Sequence, residues 1–144
     1  MEQDILTQQA TQKVYNTNAF TIATILGGPL AAAYMASSNF SSFGEANKGR
    51  YAWMVAVFLL VIAMGISLVP GLDRIPNFIY VLLFLFIVQL LVHRFQAKQI
   101  RQHIQEGGQL YPVSRAIVVG LIFMIVLVVV IFGIAYLLDN IGIE

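Results

Sequence analysis

The chain has 144 residues, of which 59% are hydrophobic and only 10% are charged, whereas a soluble domain averages roughly 25% charged residues. The formal net charge of +1 does not supply the concentrated basic surface of a nucleic-acid-binding module, so no nucleic-acid partner is expected. Cysteine is absent, which excludes disulfides, thiolate metal sites and cysteine nucleophiles, and the composition as a whole predicts a membrane protein.

Four stretches of the chain contain no Asp, Glu, Lys or Arg, and each is long enough to cross a bilayer, which takes about 20 residues. They predict spans at about 18–38, 51–69, 75–93 and 115–138, with a polar N-terminal segment at 1–17 and a short tail at 139–144. The connections are short, so consecutive helices are expected to be antiparallel neighbours. The predicted fold class is an all-α membrane protein, a four-helix transmembrane bundle over residues 18–138.

The first predicted span is rich in small residues, which allow helix backbones to approach closely. The positions expected to pack against other helices are Ala19, Ala23, Gly27, Gly28, Ala31 and Ala32. Pro29 cannot donate a backbone hydrogen bond to Ile25, and two glycines precede it, so a kink is expected near mid-membrane. This span should therefore lie against its neighbours, whereas the second and fourth spans, apolar nearly all round, can face lipid.

The third predicted span begins near Pro76 and meets no helix breaker until Gly107 and Gly108. A helix over 76–106 would be about 46 Å long, against a hydrocarbon core of about 30 Å. We therefore predict an unbroken third helix that extends into the cytoplasm, with the glycine pair supplying a left-handed cap. Its protruding part has an apolar face formed by Ala97, Ile100 and Ile104.

The distribution of basic residues gives an orientation. Lys13 and Arg74 fall on one side of a four-span bundle, and six cations fall on the other, namely Lys48, Arg50, Arg94, Lys98, Arg101 and Arg115. Because cytoplasmic loops carry an excess of Lys and Arg, the first and third connections are predicted to be cytoplasmic and both termini to lie outside.

Gln89 and His93 form the one polar pair on an otherwise apolar face of the third span, one helical turn apart. An interhelical hydrogen bond, with partners such as Ser37, Ser38 or Asn39, would account for them. The sharper alternative is a proton relay or ligand site, because polar residues within a membrane are functional candidates.

Arg94, Lys98 and Arg101 recur at helical spacing and form one basic stripe. Such a stripe typically meets anionic lipid headgroups, so membrane lipids are the expected partner. Docking of an acidic protein surface is the alternative, and the same residues also help to set the topology.

No catalytic constellation is recognisable. A hydrolase needs a nucleophile and a base within reach of each other, whereas Ser67 and His93 should lie at opposite ends of the bundle. The spans hold no internal carboxylate for proton-coupled antiport. We therefore predict no enzymatic activity, no metal site and no cofactor.

Several segments carry a resemblance to a known group of proteins: YNTNAFTIATILGGPLAAAYMASSNF, GEANKGR, the IPN before the third span, and QIRQHIQEGGQLY. The chain resembles small, uncharacterised bacterial inner-membrane proteins with four spans. The resemblance implies a location in the inner membrane and a multi-pass topology, and it implies no activity.

The predicted function follows from the small-residue rows of the first span beside otherwise inert spans. The chain should act by association, either as an accessory subunit of a membrane complex or as a homo-oligomer. One alternative is a channel or carrier subunit with a path along the kinked first span. Another is a lipid-binding or lipid-modifying role.

Overall fold

The computed structural model describes residues 3–4, 11–72 and 74–142. Its helices are α1, Thr17–Ser42; α2, Ala46–Ser67; α3, Asn77–Phe95; α4, Ala97–Gln105; and α5, Val113–Ile141. By length and composition α1, α2, α3 and α5 could each cross a membrane. The predicted all-α, multi-pass membrane fold is therefore confirmed.

α1 reverses direction at Gly28, whose φ of 64° and ψ of −159° are not helical. The backbone amide of Tyr15, just before the helix, donates to Oδ1 of Asn39, near its end, at 2.7 Å. A straight helix would place these residues about 36 Å apart. The kink predicted at Pro29 is thus a full reversal, and α1 is a hairpin of two half-helices, α1a (17–27) and α1b (29–42).

The two half-helices are too short to cross a membrane. At 1.5 Å per residue α1a is about 16 Å long and α1b about 21 Å, against a hydrocarbon core of about 30 Å. Both open ends of the hairpin therefore lie at the same end of the molecule. The other three apolar helices, α2, α3 and α5, have no such reversal.

Local chemistry explains how each half of the hairpin begins. Asn16 caps α1a, since its side-chain oxygen accepts from the amide of Ala19 at 2.8 Å. Pro29 stands at the first position of α1b, where its missing amide donor has no intrahelical partner to lose. Gly28 supplies the positive φ between them, a conformation that residues with a Cβ rarely adopt.

The hairpin forms the core against which α2, α3 and α5 pack. α5 packs along α1a, with Gly120 against Gly27, and α2 packs along α1b, with Gly49 against Ser37. α3 contacts both halves, and contacts among α2, α3 and α5 themselves are sparse. As a result 56% of the apolar window of α1 is buried, against 11% for each of α2, α3 and α5.

The predicted unbroken helix over 76–106 is wrong, because α3 ends at Phe95 and α4 begins after Gln96. No breaker residue lies there. The break follows from a tertiary contact, in which the buried Gln96 side chain turns inward to the carbonyl of Ala36. α4 packs beneath the hairpin instead of protruding freely, and Ile100 is buried. The predicted glycine cap is present, with Gly107 at φ 79°.

Residues 11–16, just before α1, lie beside the connection between α4 and α5. Val14 forms a parallel bridge with Leu110, and the amide of Tyr111 donates to the carbonyl of Val14 at 2.9 Å. The prediction that placed Lys13 with Arg74 is therefore wrong. We call the end with residues 11–16, 43–50 and 94–115 the basic end, because it holds every Lys and Arg except Arg74. The opposite end, with the 68–76 connection, is the distal end.

Candidate functional site

A buried polar cluster closes the open ends of the hairpin at the basic end. Asn39 is 0% exposed, and its amide pairs with the Tyr15 backbone, accepting from the amide at 2.7 Å and donating to the carbonyl at 2.9 Å. The same Nδ2 lies 3.3 Å from Oε1 of Gln96, whose Nε2 donates to the carbonyl of Ala36 at 3.0 Å. We call Tyr15, Asn39 and Gln96 the clasp, because they join both halves of α1 to the end of α3.

Arg115, in the first turn of α5, connects that helix to the clasp. Its Nε donates to the phenol oxygen of Tyr15 at 3.0 Å, and its guanidinium lies 4.1 Å from the centre of the Tyr111 ring. Burial raises the pKa of the Tyr15 phenol, although the hydrogen bond from Arg115 opposes the shift. Tyr15 stays a neutral acceptor, and these contacts hold it on α5.

An apolar groove runs between α2 and α3 over the surface of α1b, with a volume of about 460 Å³. Alanines form much of its floor and wall, including Ala32, Ala36 and Ala52. Its polar end, at the basic end of the molecule, carries Lys48 and Gln96. This α2/α3 groove is of the size that binds small ligands, roughly 300 to 1,000 Å³.

Lys48 at the mouth of the groove belongs to a short polar chain. Its Nζ donates to Oε1 of Glu45 at 2.7 Å, and Nε2 of Gln99 donates to Oε2 of the same carboxylate at 3.0 Å. These two hydrogen bonds hold the pKa of the Glu45 carboxyl below its usual value. The pair is exposed, so it contributes little to stability. The ion pair does hold the Lys48 ammonium group beside an apolar groove.

The residues predicted to pack in the first span lie in the hairpin core. Ala19, Ala23, Ala31 and Ala32 are buried, Gly27 abuts Gly120, Gly28 forms the turn, and Pro29 follows it buried. Part of this packing is internal to α1, because its two halves lie against each other. The remaining part faces α2 and α5.

The predicted polar pair does not form a single site. Nε2 of Gln89 donates to Oγ1 of Thr21 at 2.6 Å, while His93 is exposed. Gln89 therefore makes an interhelical hydrogen bond, with Thr21 on α1a in place of the expected serines or Asn39. Asn39 bonds Gln96 instead.

The predicted basic stripe is exposed at the basic end, with Arg94, Lys98 and Arg101 all accessible. On the opposite face of α4, Ile100 and His103 are buried. Nε2 of His103 lies 3.1 Å from the carbonyl of Gln109. The three cations at the end of α3 and on α4 are thus accessible, as headgroup contact requires, and that role stays a prediction.

The spacing of residues along α3 indicates that Gln96 faces inward, a position that the predicted pair of Gln89 and His93 did not include. Gln89 and Gln96 are seven residues apart, which places both on one helical face with Val92 between them. Val92 and Gln96 are buried, whereas His93 is not. Spacing of i, i+3 and i+7 would have identified the inward face.

No protein-family model matches the chain, and no curated protein or solved structure matches it significantly.

Proposed function

We propose that the protein is a three-crossing subunit of the bacterial inner membrane that acts by lateral association, with a re-entrant hairpin at its core. The orientation rests on charge. The basic end holds all cations but Arg74, and cytoplasmic segments are enriched in Lys and Arg. The N-terminal segment and α4 are then cytoplasmic. Because three crossings are odd in number, the C-terminal end of α5 lies outside.

Cysteine accessibility tests this topology directly, since the natural chain has no cysteine. Gln12→Cys and Gln105→Cys should react with a membrane-impermeant maleimide only after the cells are permeabilised. Asn140→Cys should react in intact cells. Four full crossings would instead place positions 12 and 140 on the same side, and labelling of both in intact cells would refute the re-entrant topology.

The association proposal rests on two glycines, Gly65 in the distal half of α2 and Gly133 in the distal half of α5. A glycine inside a helix costs about 1 kcal/mol relative to alanine, so its presence usually has a packing reason. Among the described helical glycines, Gly27, Gly49 and Gly120 have such a packing reason, because a Cβ built on each would lie within 3 Å of a neighbouring atom. A Cβ on Gly65 or Gly133 would meet nothing within 4 Å.

Glycine at a lipid-facing helix position permits close approach by another helix. The surface area is consistent with such contacts. The chain exposes 9827 Å², whereas a compact monomer of 16.0 kDa exposes about 7,400 Å². Lipid can cover apolar side chains, so area alone does not require a partner. The two glycines supply the argument for a second helix.

Leucine at these glycines should weaken the complex without unfolding the protomer, because the space around each is open within the chain. In mild detergent the wild-type native mass should exceed the 16.0 kDa of one protomer. Gly65→Leu and Gly133→Leu should shift it toward a monomer. Val128→Leu, a lipid-facing control on another face of α5, should not.

The mass of the wild-type complex also distinguishes self-association, which gives multiples of the protomer, from binding to a different subunit. A wild-type protein that is monomeric under these conditions would contradict the proposal. So would complexes that survive leucine at both glycines.

A further inference from the structure

The α2/α3 groove lies in the half of the molecule nearest the basic end. It runs from Lys48 to Leu59 along α2, a length of about 16 Å, which is about half of a 30 Å hydrocarbon core. Pro29, next to the hairpin turn, lines it with Leu59. The groove thus has the depth of one leaflet.

The lining of the groove is almost entirely apolar and includes five alanines. Apart from Lys48, Tyr51 and Gln96 at the mouth, its lining residues are apolar. Alanines from α1b and α2 leave the space between α2 and α3 unfilled, and these two helices touch each other only sparsely. Tyr51 and Phe95 are more than half exposed at the mouth, so the groove is open to the membrane.

The mouth is cationic and already holds a carboxylate. Lys48 is bound to Glu45 at 2.7 Å, yet its side chain is 52% exposed. A second anion can therefore reach the ammonium group. Arg50 and Arg94, both exposed, add positive charge at the same end of the molecule.

We propose that the α2/α3 groove binds one acyl chain of an anionic phospholipid, with the lipid phosphate held by Lys48. The apolar lining accepts a chain of one-leaflet length, and the cation at its mouth meets the headgroup where the chain ends. Glu45 competes with the phosphate for Lys48. The proposal does not depend on lateral association, because the groove lies within a single protomer.

The test uses the full-length protein in nanodiscs with equal amounts of phosphatidylglycerol and phosphatidylcholine. After transfer to mild detergent, retained phospholipid is quantified by mass spectrometry. Lys48 lies with Arg50 and Arg94 at the basic end, so the wild type should retain more phosphatidylglycerol than phosphatidylcholine. Lys48→Gln should lower this ratio by roughly fivefold, which is the preference for an anionic lipid that one lysine near a membrane surface gives.

Glu45→Gln is the matched control, because it breaks the same ion pair from the other side. It frees Lys48 and should raise the retention of phosphatidylglycerol, whereas a purely structural ion pair would make both variants change in the same direction. Ala52→Leu should fill the groove and lower retention of both lipids. Val57→Leu, exposed on α2 outside the groove, should leave retention unchanged.

Equal retention of the two lipids by the wild type would overturn the proposal. So would a shift in the same direction for Lys48→Gln and Glu45→Gln, or unchanged total retention in Ala52→Leu.

Discussion

Gly27→Ala is expected to cause a large loss of folded protein, although it adds only one methyl group. A Cβ built on Gly27 would lie 2.6 Å from the carbonyl oxygen of Gly120 and 2.9 Å from the Cβ atoms of Ala31 and Phe123. The nearest atom belongs to the backbone of α5 and cannot rotate away. Overpacking of this kind typically costs roughly 1 to 3 kcal/mol, and here two helices would have to separate.

Gly120 is the other side of this contact and lies on α5. A Cβ on Gly120 would lie 2.7 Å from the Cβ of Leu26, so Gly120→Ala should also destabilise the contact between α1a and α5. The two substitutions affect one contact, and their combined cost should be less than the sum of the single costs.

Thermal unfolding in detergent, followed by size-exclusion chromatography, measures both effects. Val128→Leu is the control, because that residue is half exposed on the same helix as Gly120 and should melt like the wild type. If Gly27→Ala melted with the Val128→Leu control, close packing of the hairpin on α5 would be refuted.

The position of the reversal in α1 could be predicted from the sequence, but its size could not. Hydropathy identified all four apolar segments, and Gly27, Gly28 and Pro29 located the break in the first one. The size of the bend could not be predicted, since the same residues are compatible with a modest kink. It depends on the φ and ψ of Gly28 and on the pairing of Asn39 with Tyr15, which are 24 positions apart in sequence.

The positive-inside argument failed at one residue for the same reason. Every cation was assigned to a side by counting crossings, so counting the hairpin as one crossing moved Lys13 to the wrong end. The cations separate more cleanly between the two ends of the molecule when the first segment returns to its own end, which agrees with the proposed topology.

The end of α3 illustrates a further limit. Residues 94–106 have good helix propensity, and the predicted helix failed only at Gln96. Its side chain is 1% exposed and hydrogen-bonded to α1b, so tertiary contact overrides local preference there. The groove could not be predicted either, because it depends on how far apart α2 and α3 stand.

Asn39→Ala is expected to open the hairpin at the basic end. The substitution removes both partners of the Tyr15 backbone and the donor to Gln96, and these groups are buried. A buried polar group left without a partner costs about 1 to 3 kcal/mol, so the total loss is on the order of 3 kcal/mol or more. Asn39→Asp should also fail to restore the clasp, because a carboxylate cannot donate to the Tyr15 carbonyl.

A distance between the two ends of α1 measures this opening. Spin labels on Gln12→Cys and Ser41→Cys should lie close together in the otherwise wild-type chain, because Oγ of Ser42 is 3.4 Å from the carbonyl of Lys13. Asn39→Ala should broaden the distribution toward longer distances. Asn18→Ala, the same change at an exposed asparagine of the hairpin, should leave it narrow. A straight α1 would hold its ends about 38 Å apart in every variant, and that result would refute both the clasp and the hairpin.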